Sequence, residues 1–185
     1  MKDPLLKGHP LHALLTDLPV GMLTSGVACD LIGLVSRQRR WRFAARAMHT
    51  GALLSGCGAA LVGLWDYQAV PREHPVRRAG AIHGYLNASM LALLLTSLLL
   101  RRESQAPSAA EPRAAALAFS AAALAVLAAS GWLGSDLVYR YGWRVVPAEH
   151  AEQMEDALRQ RGETSLIEQA HATVQRYEQT HALLP

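Results

Sequence analysis

The sequence predicts an all-α protein, a four-helix transmembrane bundle over residues 1–146 followed by a soluble helical tail over residues 147–185. Three observations lead there. Residues 79–100 and 114–135 are two 22-residue runs without Asp, Glu, Lys or Arg, and roughly 20 such residues cross a hydrocarbon core. Two weaker apolar segments, 11–35 and 45–69, read as further spans once the strong ones set the class. Charge is the third observation. Residues 1–146 hold 15 basic and 8 acidic side chains, whereas residues 147–185 hold 3 and 7. The basic part reads as membrane anchoring and not as a nucleic-acid surface. The polar tail explains why mean hydropathy is only +0.10.

Several classes are disfavoured. Cys29 and Cys57 fall inside spans at different depths and belong to no C-x-x-C motif, so they read as small buried fillers. The chain has no glycine-rich phosphate loop, no nucleophile elbow and no H-E-x-x-H zinc signature. Its first apolar run lacks the flanks of a cleavable signal peptide.

Taken in order, a basic lead with Lys2 and Lys7 enters helix 1 near Pro10, which suits a first turn because its missing N–H needs no partner there. The stretch GHPLHALLTDLPVG crowds His9, His12 and Asp17 into the start of an apolar segment. Polar groups at that depth are costly unless they face protein, water or a ligand. Helix 1 carries a second carboxylate, Asp30, near its far end. The loop SRQRRWRF supplies juxtamembrane arginines, with Trp41 at interface level. Helix 2 places Gly51, Ser55, Ala59 and Gly63 at four-residue spacing, a ridge expected to face helix 1 or helix 3. It ends in Trp65, Asp66 and Tyr67.

Helix 3 sets His83 and Asn87 on one face, four residues apart. A linker rich in Ser, Pro and Glu leads to helix 4, where Ala121, Ala125 and Ala129 suggest another small ridge. Its end, with Trp132, Tyr139, Tyr141 and Trp143, predicts an aromatic belt. The tail reads as two helices, 148–161 and 165–183, separated by Gly162. Ser165 and Glu168 stand at capping-box spacing in the second. Its His150, His171 and His181 read as solvent-facing.

Four antiparallel spans put the starts of helices 1 and 3 and the ends of helices 2 and 4 on one membrane side. His9, His12, Asp17, Asp66, His83 and Asn87 all map to it, while His49 and Asp30 map to the other. His12 and His83 share a depth within about one turn, so they can converge on a cofactor or metal. The chemistry admits a bis-histidine b-type haem, held by His12 and His83 with Asn87 beside them. It also admits a divalent metal held among His9, His12, Asp17, Asp66 and His83. In the simplest alternative these groups cap helix ends and bond to one another at the interface.

The blocks GHPLHALLTDLPVG, GLWDYQAVP, AIHGYLN and GWLGSDLVYRYGW occur in the order seen in the membrane family called domain of unknown function 2231, which the chain resembles over about residues 8–145. By motif, His9, His12, Asp17 and Pro19 match the first block, Asp66 the second, His83 and Asn87 the third, and Gly134 and Tyr139 the fourth. Some members are fused to a Rieske or cytochrome domain, so the resemblance implies a redox setting. Ala13 stands where members often carry a proline. The tail offers none of the Cys/His ligands of an iron–sulfur centre. A redox partner would then be a separate protein.

The expectation is a multi-pass protein of bacterial inner-membrane type that is a redox-associated module with a His-based site at one face. The alternatives are a non-catalytic assembly subunit and a metal-dependent membrane enzyme or transporter. Seven basic residues on the site side against eight opposite lean the site and both termini outward by the positive-inside rule.

Overall fold

The computed structural model describes residues 5–6, 9–103 and 111–181. Two compact units result, Met1–Tyr141 and Gly142–Pro185. The first opens with two short antiparallel strands, β1 (Leu5–Leu6) and β2 (His9–Pro10), in register Leu5 to Pro10 and Leu6 to His9. Nothing in the local sequence marks that pairing. Four long helices follow: α1 (Leu11–Ser36), α2 (Arg39–Gln68), α3 (Val76–Glu103) and α4 (Glu111–Tyr139). All four are long and apolar enough to cross a membrane. Leucines and valines such as Leu14, Leu34, Leu54, Leu61 and Leu99 stand exposed on their outer sides, as expected of helices whose solvent is lipid.

The helices are longer than the hydrophobic runs. SRQRRWRF is mostly the opening of α2 rather than a loop, and only Arg37 and Gln38 separate α1 from α2. Hydropathy marks where lipid ends, whereas arginine is a good helix former on either side of that boundary. Arg37 takes the left-handed conformation (φ 56°) and donates its N–H to Gly33 O, closing α1. At α3, His74 Nδ1 accepts the Val76 N–H at 3.2 Å and so caps the first turn.

Neighbouring helices follow the cyclic order α1, α2, α3, α4, which leaves α1 diagonal to α3 and α2 diagonal to α4. The two hairpins, α1 with α2 and α3 with α4, pack far more extensively within themselves than against each other. Leu23, Val27, Ala52, Met90, Leu94, Ala123 and Leu127 form the core. On α2 the buried residues are Ala45, His49, Ala52, Gly56, Ala59 and Asp66, whose spacing of three and four is the seam of left-handed helix packing. Gly51 and Gly63 do face α1, against Met22 and His12. The ridge expected on α4 is different. Ala121, Ala125 and Ala129 are exposed, and the buried stripe is Ala116, Ser120, Ala123, Leu127 and Ser130. Alanine is indifferent to lipid, so its spacing alone does not choose a face.

The hairpins also repeat each other at an offset of 71 residues. Leu23 and Leu94, Ala45 and Ala116, and Ala52 and Ala123 are buried in pairs. Each pair occupies matching places in α1–α2 and α3–α4, so the two hairpins share a packing pattern.

The second unit is a helical hairpin, α5 (Val146–Gln160) and α6 (Thr164–His181), turned at Gly162 with φ 77°. His171 Nε2 lies 3.4 Å from Glu155 on α5, so this histidine links the two helices instead of only facing solvent. Arg159 bonds the same carboxylate at 2.6 Å and holds Glu155 below the ordinary glutamate range.

Candidate functional site, a histidine pair between the hairpins

His12 lies in the first turn of α1 and His83 in the second turn of α3, and the diagonal placement of those helices brings the rings together. Their centroids are 6.2 Å apart and their planes 88° from parallel. Each ring is anchored within its own hairpin by the same bond. His12 Nδ1 donates to Ala59 O at 2.9 Å and His83 Nδ1 to Ser130 O at 3.0 Å, both across 47 residues. A carbonyl only accepts, so the proton sits on Nδ1 and a neutral ring keeps its lone pair on Nε2. Each ring also leans on a glycine. A Cβ on Gly63 would stand 2.7 Å from the His12 ring, and one on Gly134 3.0 Å from the His83 ring.

The two imidazoles differ in what meets Nε2. Asn87, one turn beyond His83, donates its Nδ2–H to His83 Nε2 at 3.0 Å and to His83 O at 3.0 Å. The corresponding residue on α1 is Thr16, whose hydroxyl bonds back to Ala13 O at 2.8 Å. His12 Nε2 therefore has no such donor.

The remaining expected residues divide. Asp17 is exposed on the outside of α1, turned from the pair. Asp66 is buried in the last turn of α2. His9 belongs to β2, with its side chain outside the described residues. Among the described residues, no three His, Cys, Asp or Glu side chains gather as a metal donor set.

A second polar cluster lies at the other end of the bundle, roughly 27 Å along α1 from His12 at 1.5 Å per residue. All four helices contribute to it. Asp30 on α1 receives two bonds from Arg101 on α3, at 2.7 and 2.6 Å, and one from His49 on α2, at 2.9 Å. Ser120 on α4 lies 3.5 Å from the same carboxylate. His49 is fully buried, and its Nδ1 has no hydrogen-bond partner among the described residues. Its ring fills the place of a side chain at Gly26, where a Cβ would stand 2.6 Å away. With Leu23, Met90, Leu94 and Leu127 between the two clusters, the middle of the bundle is apolar.

Sequence reasoning placed Asp30 and His49 at this end but did not join them to Arg101. The missing signal was the 71-residue repeat, which pairs Asp30 with Arg101, His49 with Ser120 and His12 with His83. Helix-end arginines are so common as lipid anchors that Arg101 alone carries little information.

Comparison with known proteins adds the family. A family model described as "Predicted membrane protein (DUF2231)" matches residues 8–147. No curated protein and no solved structure matches the chain. The matched region covers all four spans and both polar clusters, and the chain belongs to the DUF2231 family of predicted membrane proteins.

Proposed function

We propose that this multi-pass membrane protein is a redox-associated module whose His12–His83 pair holds a b-type haem at one membrane face. The observation that carries the reading is the matched anchoring of the two rings. Both Nδ1–H groups are spent on backbone carbonyls, the arrangement that fixes tautomer and orientation in ligating histidines; it turns Nε2 outward on each ring, with Asn87 bonded to that of His83. The 6.2 Å between centroids would also put both rings beside one shared group.

The donor set favours haem over a bare divalent cation. A protein-held zinc needs three or four side-chain ligands, whereas haem iron asks the protein only for its axial ones. The described residues offer two imidazoles and no third ligand beside them. Each histidine belongs to a different hairpin, and the hairpins pack less extensively against each other than within themselves, so a shared group would join the two halves of the bundle. When bound, such a group supplies one-electron chemistry. The chain's own residues set its orientation. Ala59 and Ser130 hold the rings, Gly63 and Gly134 let them approach the backbone, and the helix-start position keeps the site near water and a partner protein.

Purification of the full chain in detergent, followed by absorption spectroscopy and haemin titration, tests the reading. A Soret band that shifts on reduction is expected, and it should be lost in both His12→Ala and His83→Ala with helicity unchanged. Stoichiometric zinc, copper or iron without a Soret band would assign a metal site instead, with His9 as the first additional ligand to examine. Absence of both would remove the redox reading.

A further inference from the structure

The groove between α2 and α3, at the end of the bundle opposite the histidine pair, is lined by Arg46, Thr50, Leu53, Leu54, Leu95 and Leu99 and has a volume of about 260 Å³. Arg46 is half-buried and makes no hydrogen bond or ion pair with any described residue. It stands at the start of the apolar segment 45–69, where its permanently charged guanidinium is at the level of the headgroups.

We infer that this groove is a binding site for an anionic phospholipid, with the phosphate on Arg46 and an acyl chain along the leucines. Three features fix the occupant. The groove opens on a bundle face that spans the bilayer, so it must be filled by lipid tail or by protein. The unpaired guanidinium complements a phosphate diester, which it can grip with two parallel bonds. Arg37, Arg39, Arg40 and Arg42 crowd the same membrane face and raise the local concentration of anionic lipid. The site is not a general consequence of the fold. At the corresponding places in the second hairpin, 71 residues on, Leu117 replaces Arg46 and Ala121 replaces Thr50. The corresponding surface therefore offers no cation.

The test uses the full chain in nanodiscs of phosphatidylcholine with a minority of phosphatidylglycerol, with retained lipid read by native mass spectrometry after release into detergent. Wild type should retain phosphatidylglycerol several-fold above its share of the bilayer. Arg46→Leu, the residue the second hairpin itself carries, should fall to the bulk share. Leu54→Trp, which fills the groove without touching charge, should do the same and covers the case in which Arg46→Leu fails to insert. Arg39→Leu, on the same face outside the groove, should keep the enrichment. Four results would overturn the site: no enrichment in wild type, enrichment as high as in wild type in Arg46→Leu and Leu54→Trp, loss in Arg39→Leu as large as in Arg46→Leu, or displacement by inorganic phosphate alone.

Discussion

Asp30 and Arg101 occupy the same position in the two hairpins, 71 residues apart, and meet across the bundle in a two-bond ion pair with distances of 2.7 and 2.6 Å. Matching positions of the two hairpins face one another. His12 and His83 are alike, which gives a pair of imidazoles. Asp30 and Arg101 are opposite in charge, which gives an ion pair. The packing around them differs as well. The first hairpin sets His49 against Gly26, and the second sets Ser120 at the place of His49 and Ser97 at the place of Gly26.

Removing one partner of this pair should destabilise the bundle strongly. Asp30 is held by Arg101 and His49 together, so Asp30→Asn leaves a guanidinium in an apolar setting, a loss of about 3–5 kcal/mol for a broken buried pair. Asp30→Leu combined with Arg101→Leu should cost much less than either single change, since no charge is then stranded. The exchange Asp30→Arg with Arg101→Asp should recover only part, because His49 would face the new arginine and Ser120 the new aspartate. Thermal unfolding of Asp30→Asn, the two single leucine changes, the double-leucine variant and the exchange in one detergent measures the order. A double-leucine variant as unstable as the worse single change would show that the pair does more than compensate its own charges.

How much of this was legible in the sequence depended on which physical signal was local. The four spans were readable because hydropathy is a property of a contiguous stretch, and His12 with His83 because antiparallel spans fix relative depth. Asp17, a candidate metal donor by its depth, stands exposed, because a five-residue step from His12 turns it by well over a quarter circle. The α2 ridge faced α1 as expected, whereas the α4 alanines at 121, 125 and 129 faced outward. Glycine against a histidine ring is specific, and alanine on a lipid-facing helix is not. The Asp30–His49–Arg101–Ser120 cluster draws on all four helices, so no single window contains it.

The glycines beside the histidines should be ranked by the space a methyl group meets. Gly63→Ala drives a Cβ to 2.7 Å from the His12 ring and should break the bond to Ala59 O, costing about 1–3 kcal/mol as overpacking. Gly134→Ala meets His83 at 3.0 Å and should cost less. Gly58→Ala meets nothing within 4 Å and should be neutral or stabilising by about 0.5–1 kcal/mol, because alanine is the better helix former. Unfolding midpoints should follow that order, and a Gly58→Ala loss as large as that of Gly63→Ala would contradict the packing of His12.

The tail hairpin should loosen in acid. Glu155 is held below its ordinary range chiefly by the hydrogen bond from Arg159, with His171 adding to the effect. A carboxyl lowered on folding contributes stability above its unfolded range and loses it as pH falls through the folded value. Protection of α6 amides against hydrogen exchange should therefore decline below the ordinary glutamate range, and Glu155→Gln should show the weaker protection already at neutral pH. The pair is exposed, so the change should be small and should shrink with added salt. Equal protection in Glu155→Gln and wild type at low salt would leave the pair without a role.

Asn87 gives the most discriminating prediction for the histidine pair. Its amide donates to His83 Nε2, the nitrogen that must carry the free lone pair if His83 is to bind iron. The same amide also donates to His83 O, so it has a second acceptor and can leave the ring without losing both bonds. Asn87 is then a competitor for the ligating nitrogen, and His12, with Thr16 at the matching place, has none. Asn87→Ala should take up haemin at least as tightly as wild type and keep a two-imidazole spectrum, whereas His83→Ala should lose it. If Asn87 were instead required to steady the ring, Asn87→Ala would bind more weakly and its spectrum would broaden toward single-histidine ligation. Titrating haemin into the three proteins in parallel separates these outcomes, because Ser130 O still anchors His83 Nδ1 when Asn87 is gone.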